Sequence, residues 1–360
     1  MTTERRERLV ALSHHFGTRA FVVGGGGNSS VKDAATLWVK PSGTSLAALT
    51  VASLLPLDRA AVAAVGRMAL PDDPSARETL VMQALQQAVR GEADKRPTVE
   101  SLLHNIIERT YVVHTHPAAV NGMTCARDGA AFCRRAFPDA LWVPYVDPGC
   151  TLSARVAADV AAYRRRRGGA PEAIVLENHG IFVGGDTPEA VTRTYDRFLD
   201  TLAAAYAERG IPASLAAGPA PGADEVRAMH AALAAAMGGE RRVHIAPSGA
   251  FPVPPGAISP DHLIFMKAEA LRAEPTPETL AAYRAAHGYD PRVLATDTAV
   301  YGLGATQRDA DLSLAVARDA ALVVQLAEAF GGVRTLSAAA REFLENWEME
   351  VYRQKVAAAA

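Results

Sequence analysis

Two histidines one residue apart in an apolar run, Val112-Val113-His114-Thr115-His116-Pro117, constrain the fold of this chain more than any other feature. In an extended strand residues i and i+2 share a face, so His114 and His116 project together while Thr115 points the other way. A third imidazole, His179, closes a second apolar run, Ala173-Ile174-Val175-Leu176, just ahead of Gly180, which permits a sharp turn. A fold that brings the ends of both runs together holds three imidazoles around one point. Three histidines with a fourth position open form a catalytic rather than a structural zinc arrangement. The plainer alternative is that the two spaced histidines are ordinary alternating strand residues, or one ligand beside a hydrogen-bonded core histidine.

Composition bounds the rest. A chain of 360 residues with 49% hydrophobic content can bury a sizeable core, as one large domain or two of ordinary size. Charged residues are 21% of the chain and sum to a formal charge of -2, which offers no electrostatic footprint for nucleic acid. The one basic block, Arg164-Arg165-Arg166-Arg167 before Gly168-Gly169, suits a solvated helix C-terminus. Cys125, Cys133 and Cys150 are odd in number and lack CxxC spacing, which argues against a disulfide framework or thiolate site and fits a reducing cytoplasm. The charged N-terminus is followed by no apolar core of a signal peptide, and no run of 18 apolar residues occurs, so neither export nor membrane insertion is expected.

Along the chain, a helix over 4–16 precedes a strand at 20–23, four glycines at 24–27, and the polar turn Asn28-Ser29-Ser30-Val31-Lys32. Thr36–Lys40 reads as the returning strand, ending in the turn Pro41-Ser42-Gly43-Thr44-Ser45. Helices are expected over 75–90, 99–108, 129–137, 153–167 and 188–208, with strands at the histidine pair, at 141–145 and at 173–176. Residues 210–224, rich in Ala, Pro and Gly, read as a linker between a catalytic domain over 1–209 and a C-terminal α/β lobe over 225–360. In that lobe strands are expected at 242–245, 262–266 and 292–300, and helices over 308–330 and 336–355. Gly302-Leu303-Gly304 begins like a dinucleotide fingerprint but lacks the third glycine, and reads as a simple strand-to-helix turn.

Glu100 follows Pro97 and Thr98 into the first turn of a helix, where a carboxylate suits the helix dipole. Beside a divalent metal the same carboxylate can move a proton to or from carbon. Asn28, Ser29, Lys40, Ser42 and Gly43 offer backbone N–H groups, hydroxyls, an amide and an ammonium suited to a phosphate or other small anion. Gly24–Gly27 taken alone is equally a tight turn needing positive φ. His104 lies four residues after Glu100 on the same helical face, as a neighbour of the site or a core histidine. Tyr145 and, after Asp261, His262 are further candidates, each with a packing role as the alternative.

The ordered set Gly-Asn-Ser-Ser, Pro-Ser-Gly-Thr, a glutamate before a helix, His-Thr-His-Pro and Asn-His-Gly resembles the class II aldolase/adducin family over residues 8–206. The remainder, with Ser259-Pro260-Asp261-His262 and Asn346-Trp347-Glu348, resembles the aldolase half of bifunctional rhamnulose-1-phosphate aldolase/dehydrogenases. The resemblance implies an α/β fold: a central mixed or antiparallel sheet flanked by helices, with a second, smaller α/β lobe. It implies that His114, His116 and His179 hold a divalent ion, zinc before manganese, cobalt or iron, and that Glu100 is the general acid/base. Asn28, Ser42 and Gly43 fall in its phosphate-holding motifs, with Ser29 and Lys40 beside them.

The implied reaction is cleavage of a ketose 1-phosphate to dihydroxyacetone phosphate and an aldehyde through a metal-stabilised enediolate, in a homo-oligomer, usually a tetramer. The same metal site serves sugar-acid phosphate decarboxylases, dehydratases and pentulose-phosphate epimerases, while adducins keep the fold as structural proteins. No nicotinamide cofactor is expected. Where smaller family members carry two hydroxyl residues before the glutamate, this chain has Thr98 and then Val99, which weakens the implied phosphate contacts.

Overall fold

The computed structural model describes residues 2–91, 95–238 and 243–347. Seven strands make the main sheet: β1 (Asn28–Lys32), β2 (Thr36–Val39), β3 (Leu55–Asp58), β4 (Tyr111–Thr115), β5 (Ala140–Val143), β6 (Ala173–Leu176) and β7 (Gly180–Gly185). Their order is β3-β2-β1-β4-β7-β6-β5, with every pair antiparallel except β5 and β6, so the sheet is mixed, as expected. β4 lies at its centre, and all five of its residues are buried.

Helices α1 (Thr3–Phe16), α2 (Arg59–Val65), α3 (Pro74–Gln87), α4 (Ser101–Ile106), α5 (Ala118–Thr124), α6 (Gly129–Ala136), α7 (Cys150–Arg167) and α8 (Pro188–Glu208) cover both faces. Alternation along β4 divides them. Tyr111 and Val113 pack with Leu9 and Phe16 of α1 and with Tyr195 and Phe198 of α8. Val112 packs on the opposite face with Leu103 of α4 and Val156 of α7. His114 lies on that second face too, stacked at 3.9 Å on Phe182 of β7. Thr115 points back to α8, its hydroxyl 2.9 Å from that of Tyr195.

The second lobe begins with α9 (Ala223–Ala236) and has a three-stranded antiparallel sheet of β8 (His244–Gly249), β9 (Val293–Ala295) and β10 (Ala299–Gly304), ordered β8-β10-β9. Around it lie α10 (Pro260–Met266), α11 (Pro277–His287), α12 (Gln307–Ala327) and α13 (Ala338–Asn346). Gly302 and Gly304 both lie in β10, and Thr306 caps α12 through its side chain, so the chain passes from strand to helix in a short turn just after the glycine pair. The C-terminal end of α12 enters the first lobe's core: Leu326, Ala327 and Phe330 join the cluster containing Phe198 and Tyr206.

Several expected elements differ. Residues 20–23 form a turn, with the N–H groups of Phe21 and Val22 both bonded to Thr18 O, and the strand starts instead at Asn28. The segment 262–266 is helix α10, because Pro260 and Asp261 after Ser259 are a helix start that outweighs the apolar run behind it. The expected strand over 292–300 is split between β9 and β10 by a turn in which Ala299 N donates to Thr296 Oγ1. The ends of the segments expected to start at 242 and to finish at 355 lie outside the described residues.

The four arginines at the end of α7 are exposed, and Gly168 terminates that helix in the left-handed region, as a solvated helix end requires. The three cysteines are buried and free. Among the described residues no helix is long and apolar enough to cross a membrane.

Candidate metal centre

Pairing of β4 with β1 and β7 assembles the site. Asn28 sits opposite His114 in the β1–β4 register, and Phe182 opposite it across β7. His116 follows β4, its N–H bonded to Phe21 O. His179 stands in the short connection between β6 and β7, and the preceding Asn178 takes φ 52, a left-handed conformation that Asn tolerates. The potential ligand atoms of His114, His116 and His179 all lie within 4.8 Å of one another.

The protons on these rings are fixed by their partners. His114 Nδ1 donates to Ile181 O at 3.0 Å, and His116 Nδ1 donates to Asp261 Oδ2 at 2.5 Å. In the neutral tautomers that these bonds select, both Nε2 atoms would carry lone pairs, and they face each other at 2.8 Å. Two acceptors at that distance repel unless a cation lies against both, and imidazoles held through Nδ1 with Nε2 exposed are the usual form of a metal ligand. Burial is the main reason that His179 is lowered to about 3, which leaves this ring neutral and able to ligate. The three imidazoles are arranged as a group that could hold a divalent metal ion, and their nitrogens suit several ions without choosing among them.

Glu100 faces the same point, its Oε1 3.4 Å from His114 Nε2 and 3.7 Å from His179 Nε2. It occupies the N-cap of α4 but makes no side-chain capping bond, so the carboxylate is turned to the histidines rather than spent on the helix. Burial alone would raise its pKa; positive charge at the histidine cluster, His114 first and then His179 and His116, would reverse this and hold it well below the usual carboxylate range, and an ion bound between neutral rings would supply the same positive charge. Asn28 Nδ2 donates to Glu100 Oε2, and Asn28 Oδ1 accepts from His104 Nε2. Ser30 Oγ donates to His104 Nδ1 at 2.7 Å. A line of hydrogen bonds thus runs from Ser30 through His104 and Asn28 to Glu100. Burial, with Lys32 adding repulsion, holds His104 well below the usual imidazole range and so neutral.

Asn28, Lys40, Ser42, Gly43, Thr98, Glu100, His116 and His179 line one cleft, together with Pro260 and Trp347 of the second lobe. Its expected polar residues differ in what they present. Ser29 is corrected: as the residue after Asn28 in a strand it faces the other way, bonded at 2.7 Å to Ser13 of α1 and fully buried. Lys40 keeps its ammonium on its own loop, 2.5 Å from Thr44 O. Tyr145 does not line the cleft and bonds Asp147 at 3.3 Å. His262 does not face it either: Ser259 and Asp319 hold its two nitrogens at 2.7 and 2.9 Å. The residue of that segment that reaches the histidines is its neighbour Asp261. Sequence reasoning passed over it, although the helix start at Ser259-Pro260 was the available signal.

A Bacillus subtilis (strain 168) protein described as an uncharacterized oxidoreductase, YuxG, is 31% identical over 196 residues, which make up 51% of this chain and 27% of that relative's length. Among solved structures, the N-terminal class II aldolase domain of a Thermoplasma acidophilum protein is 24% identical, with a TM-score of 0.46, covering 57% of this chain and 92% of that one. The L-fuculose-1-phosphate aldolase of Thermus thermophilus is 16% identical, with a TM-score of 0.38, covering 58% and 97%. Residues 7–207 match the model of the Class II Aldolase and Adducin N-terminal domain, and the chain belongs to that family.

Proposed function

We propose that this chain is a metal-dependent aldolase that cleaves a ketose 1-phosphate of the rhamnulose type to dihydroxyacetone phosphate and an aldehyde. The observation that carries this reading is a buried carboxylate, Glu100, set 3.4 Å from an imidazole nitrogen of a three-histidine cluster beside a polar cleft. A divalent ion bound there supplies Lewis-acid polarisation of a carbonyl. The protein's part is proton traffic and positioning. In the cleavage direction the C3–C4 bond, one carbon removed from the ketose carbonyl, breaks: the C4 hydroxyl gives its proton to the Glu100 carboxylate as the aldehyde forms, the electron pair of the broken bond stays with the dihydroxyacetone phosphate half, and Glu100 returns the proton to that carbon. In the synthetic direction the resting carboxylate removes the same proton. Asn28 holds the carboxylate to that task, and Ser42, Gly43 and Lys40 stand at the part of the cleft suited to the phosphate. A homo-oligomer belongs to the same proposal, and a monomeric mass in solution would remove it.

Decarboxylation, dehydration or epimerisation of a related sugar phosphate would use the same carboxylate. The test is mass-spectrometric product detection after incubating zinc-loaded protein with ketose 1-phosphates, including L-rhamnulose 1-phosphate, and with sugar-acid phosphates, each with and without NAD+. Dihydroxyacetone phosphate plus an aldehyde, abolished by chelation, supports the proposal. Loss of carbon dioxide or water instead, or turnover only with NAD+, replaces it.

A further inference from the structure

The second lobe touches the metal centre from both sides. Asp261, in the first turn of α10, places Oδ2 2.5 Å from His116 Nδ1. Asn178, next to His179, donates through Nδ2 to the carbonyls of Ile258 at 2.9 Å and Arg334 at 2.8 Å. The Arg334 guanidinium pairs with Glu177, one residue further back. The segments carrying two of the three imidazoles are thus fastened to residues 258–261 and 334 of the second lobe. α10 is itself held in place, since His262 links Ser259 to Asp319 of α12.

Gly26 gives this contact a second, independent mark. A Cβ there would run into the Asp261 carboxylate and lie 3.2 Å from His116 Nδ1. Gly26 does not take a positive φ, unlike Gly24 and Gly27, so at this position the need is for space rather than for conformation. A buried carboxylate on the Nδ1 side of a ligand histidine fixes the ring and its tautomer and makes Nε2 a better donor to the ion. The pairing also meets the cost of burying the carboxylate.

We infer that Asp261 is a positioning residue of the metal centre supplied by the second lobe, which sets His116 for a divalent cation across the clearance left by Gly26. The inference rests on the three-histidine metal reading, and the experiment separates the two. Zinc affinity is measured on the full chain by competition with a chromogenic chelator, for the wild type, His179→Ala, Asp261→Ala, Asp261→Asn, Gly26→Ala and the Gly26→Ala/Asp261→Ala double variant. His179→Ala should lose the ion. Asp261→Ala should weaken binding by about 10- to 100-fold, and Asp261→Asn by less, because its amide oxygen still accepts from Nδ1. Gly26→Ala should also weaken binding, but should add nothing in the absence of the carboxylate, a non-additivity that marks direct coupling.

Wild-type affinity in a folded Asp261→Ala protein, with the ion lost from His179→Ala, overturns this inference and leaves the metal reading standing. No saturable site in the wild type, or full binding by His179→Ala, overturns both. Should Asp261→Ala fail to fold, Asp261→Asn and Gly26→Ala carry the same comparison, and wild-type affinity in both overturns the inference.

Discussion

Glu100 is the residue on which the proposed chemistry turns, and its surroundings separate its roles. Its Oε1 faces the histidines while its Oε2 accepts from Asn28, so orientation and reactivity come from different oxygens. Glu100→Gln keeps the size of the side chain but can neither take nor return a proton. We expect it to bind zinc with little change and to lose about 10²- to 10⁴-fold in kcat; turnover at the wild-type rate would take Glu100 out of the mechanism. Asn28→Ala frees the carboxylate without neutralising it, and should lower kcat by up to on the order of 10²-fold at unchanged zinc affinity. A raised KM with kcat intact would instead make Asn28 a binding residue. At this scale the sequence was most legible where residue type and spacing coincide: His114 and His116 follow from the strand period, whereas the role expected of Glu100 came from the family resemblance. It was least legible at Asp261: the helix start at Ser259-Pro260 marks its segment, but its partner lies 145 residues away and nothing local points to it.

Strand β1 shows how one element carries two functions on its two faces. Ser29 and Val31 face α1, whereas Asn28, Ser30 and Lys32 face α4, where the first two build the line to Glu100. Lys32 donates to His104 O at 2.7 Å, closing the end of that line. Burial, with Arg59 adding repulsion, lowers its pKa from 10.5 to about 7. The unfolded chain therefore binds more protons than the folded chain between pH 7 and 10.5, so this residue makes stability rise across that window and fall as pH drops toward 7. Lys32→Met removes the dependence: urea unfolding should show the variant gaining on the wild type at about pH 6 and losing that advantage toward about pH 10. Parallel curves for the two proteins would mean that Lys32 stays charged when folded.

Continuous apolar runs made β4 and β6 readable, and spacing gave α1, α3 and α8. β7 was hidden because its hydrophobic centre, Ile181-Phe182-Val183, is short and flanked by glycines. α10 was misread because seven buried residues in a row carry no helical period.

The linker-like composition of 210–224 marks a change of lobe but not a boundary of the core. Leu326, Ala327 and Phe330 pack among Phe198, Leu202 and Tyr206 of the first lobe. Val99, the residue before Glu100, is buried with Leu263, Leu344 and Trp347 of the second. A side chain beside the proposed catalytic glutamate is thereby committed to holding the lobes together. Shared packing of this kind couples the stability of the two lobes, and the metal centre spans them as well. Calorimetry should accordingly show one unfolding transition. A ligand that binds only the folded state at about 100 times its Kd stabilises by about 2.7 kcal/mol, so zinc at that excess should move the whole transition upward. Phe330→Ala, a cavity in the shared core rather than in the cleft, should cost about 3–5 kcal/mol and lower the same single transition. Two separate transitions, with zinc shifting one and Phe330→Ala the other, would show that the lobes are independent despite their common core, and would leave Asp261 a contact between neighbours rather than part of a single unit.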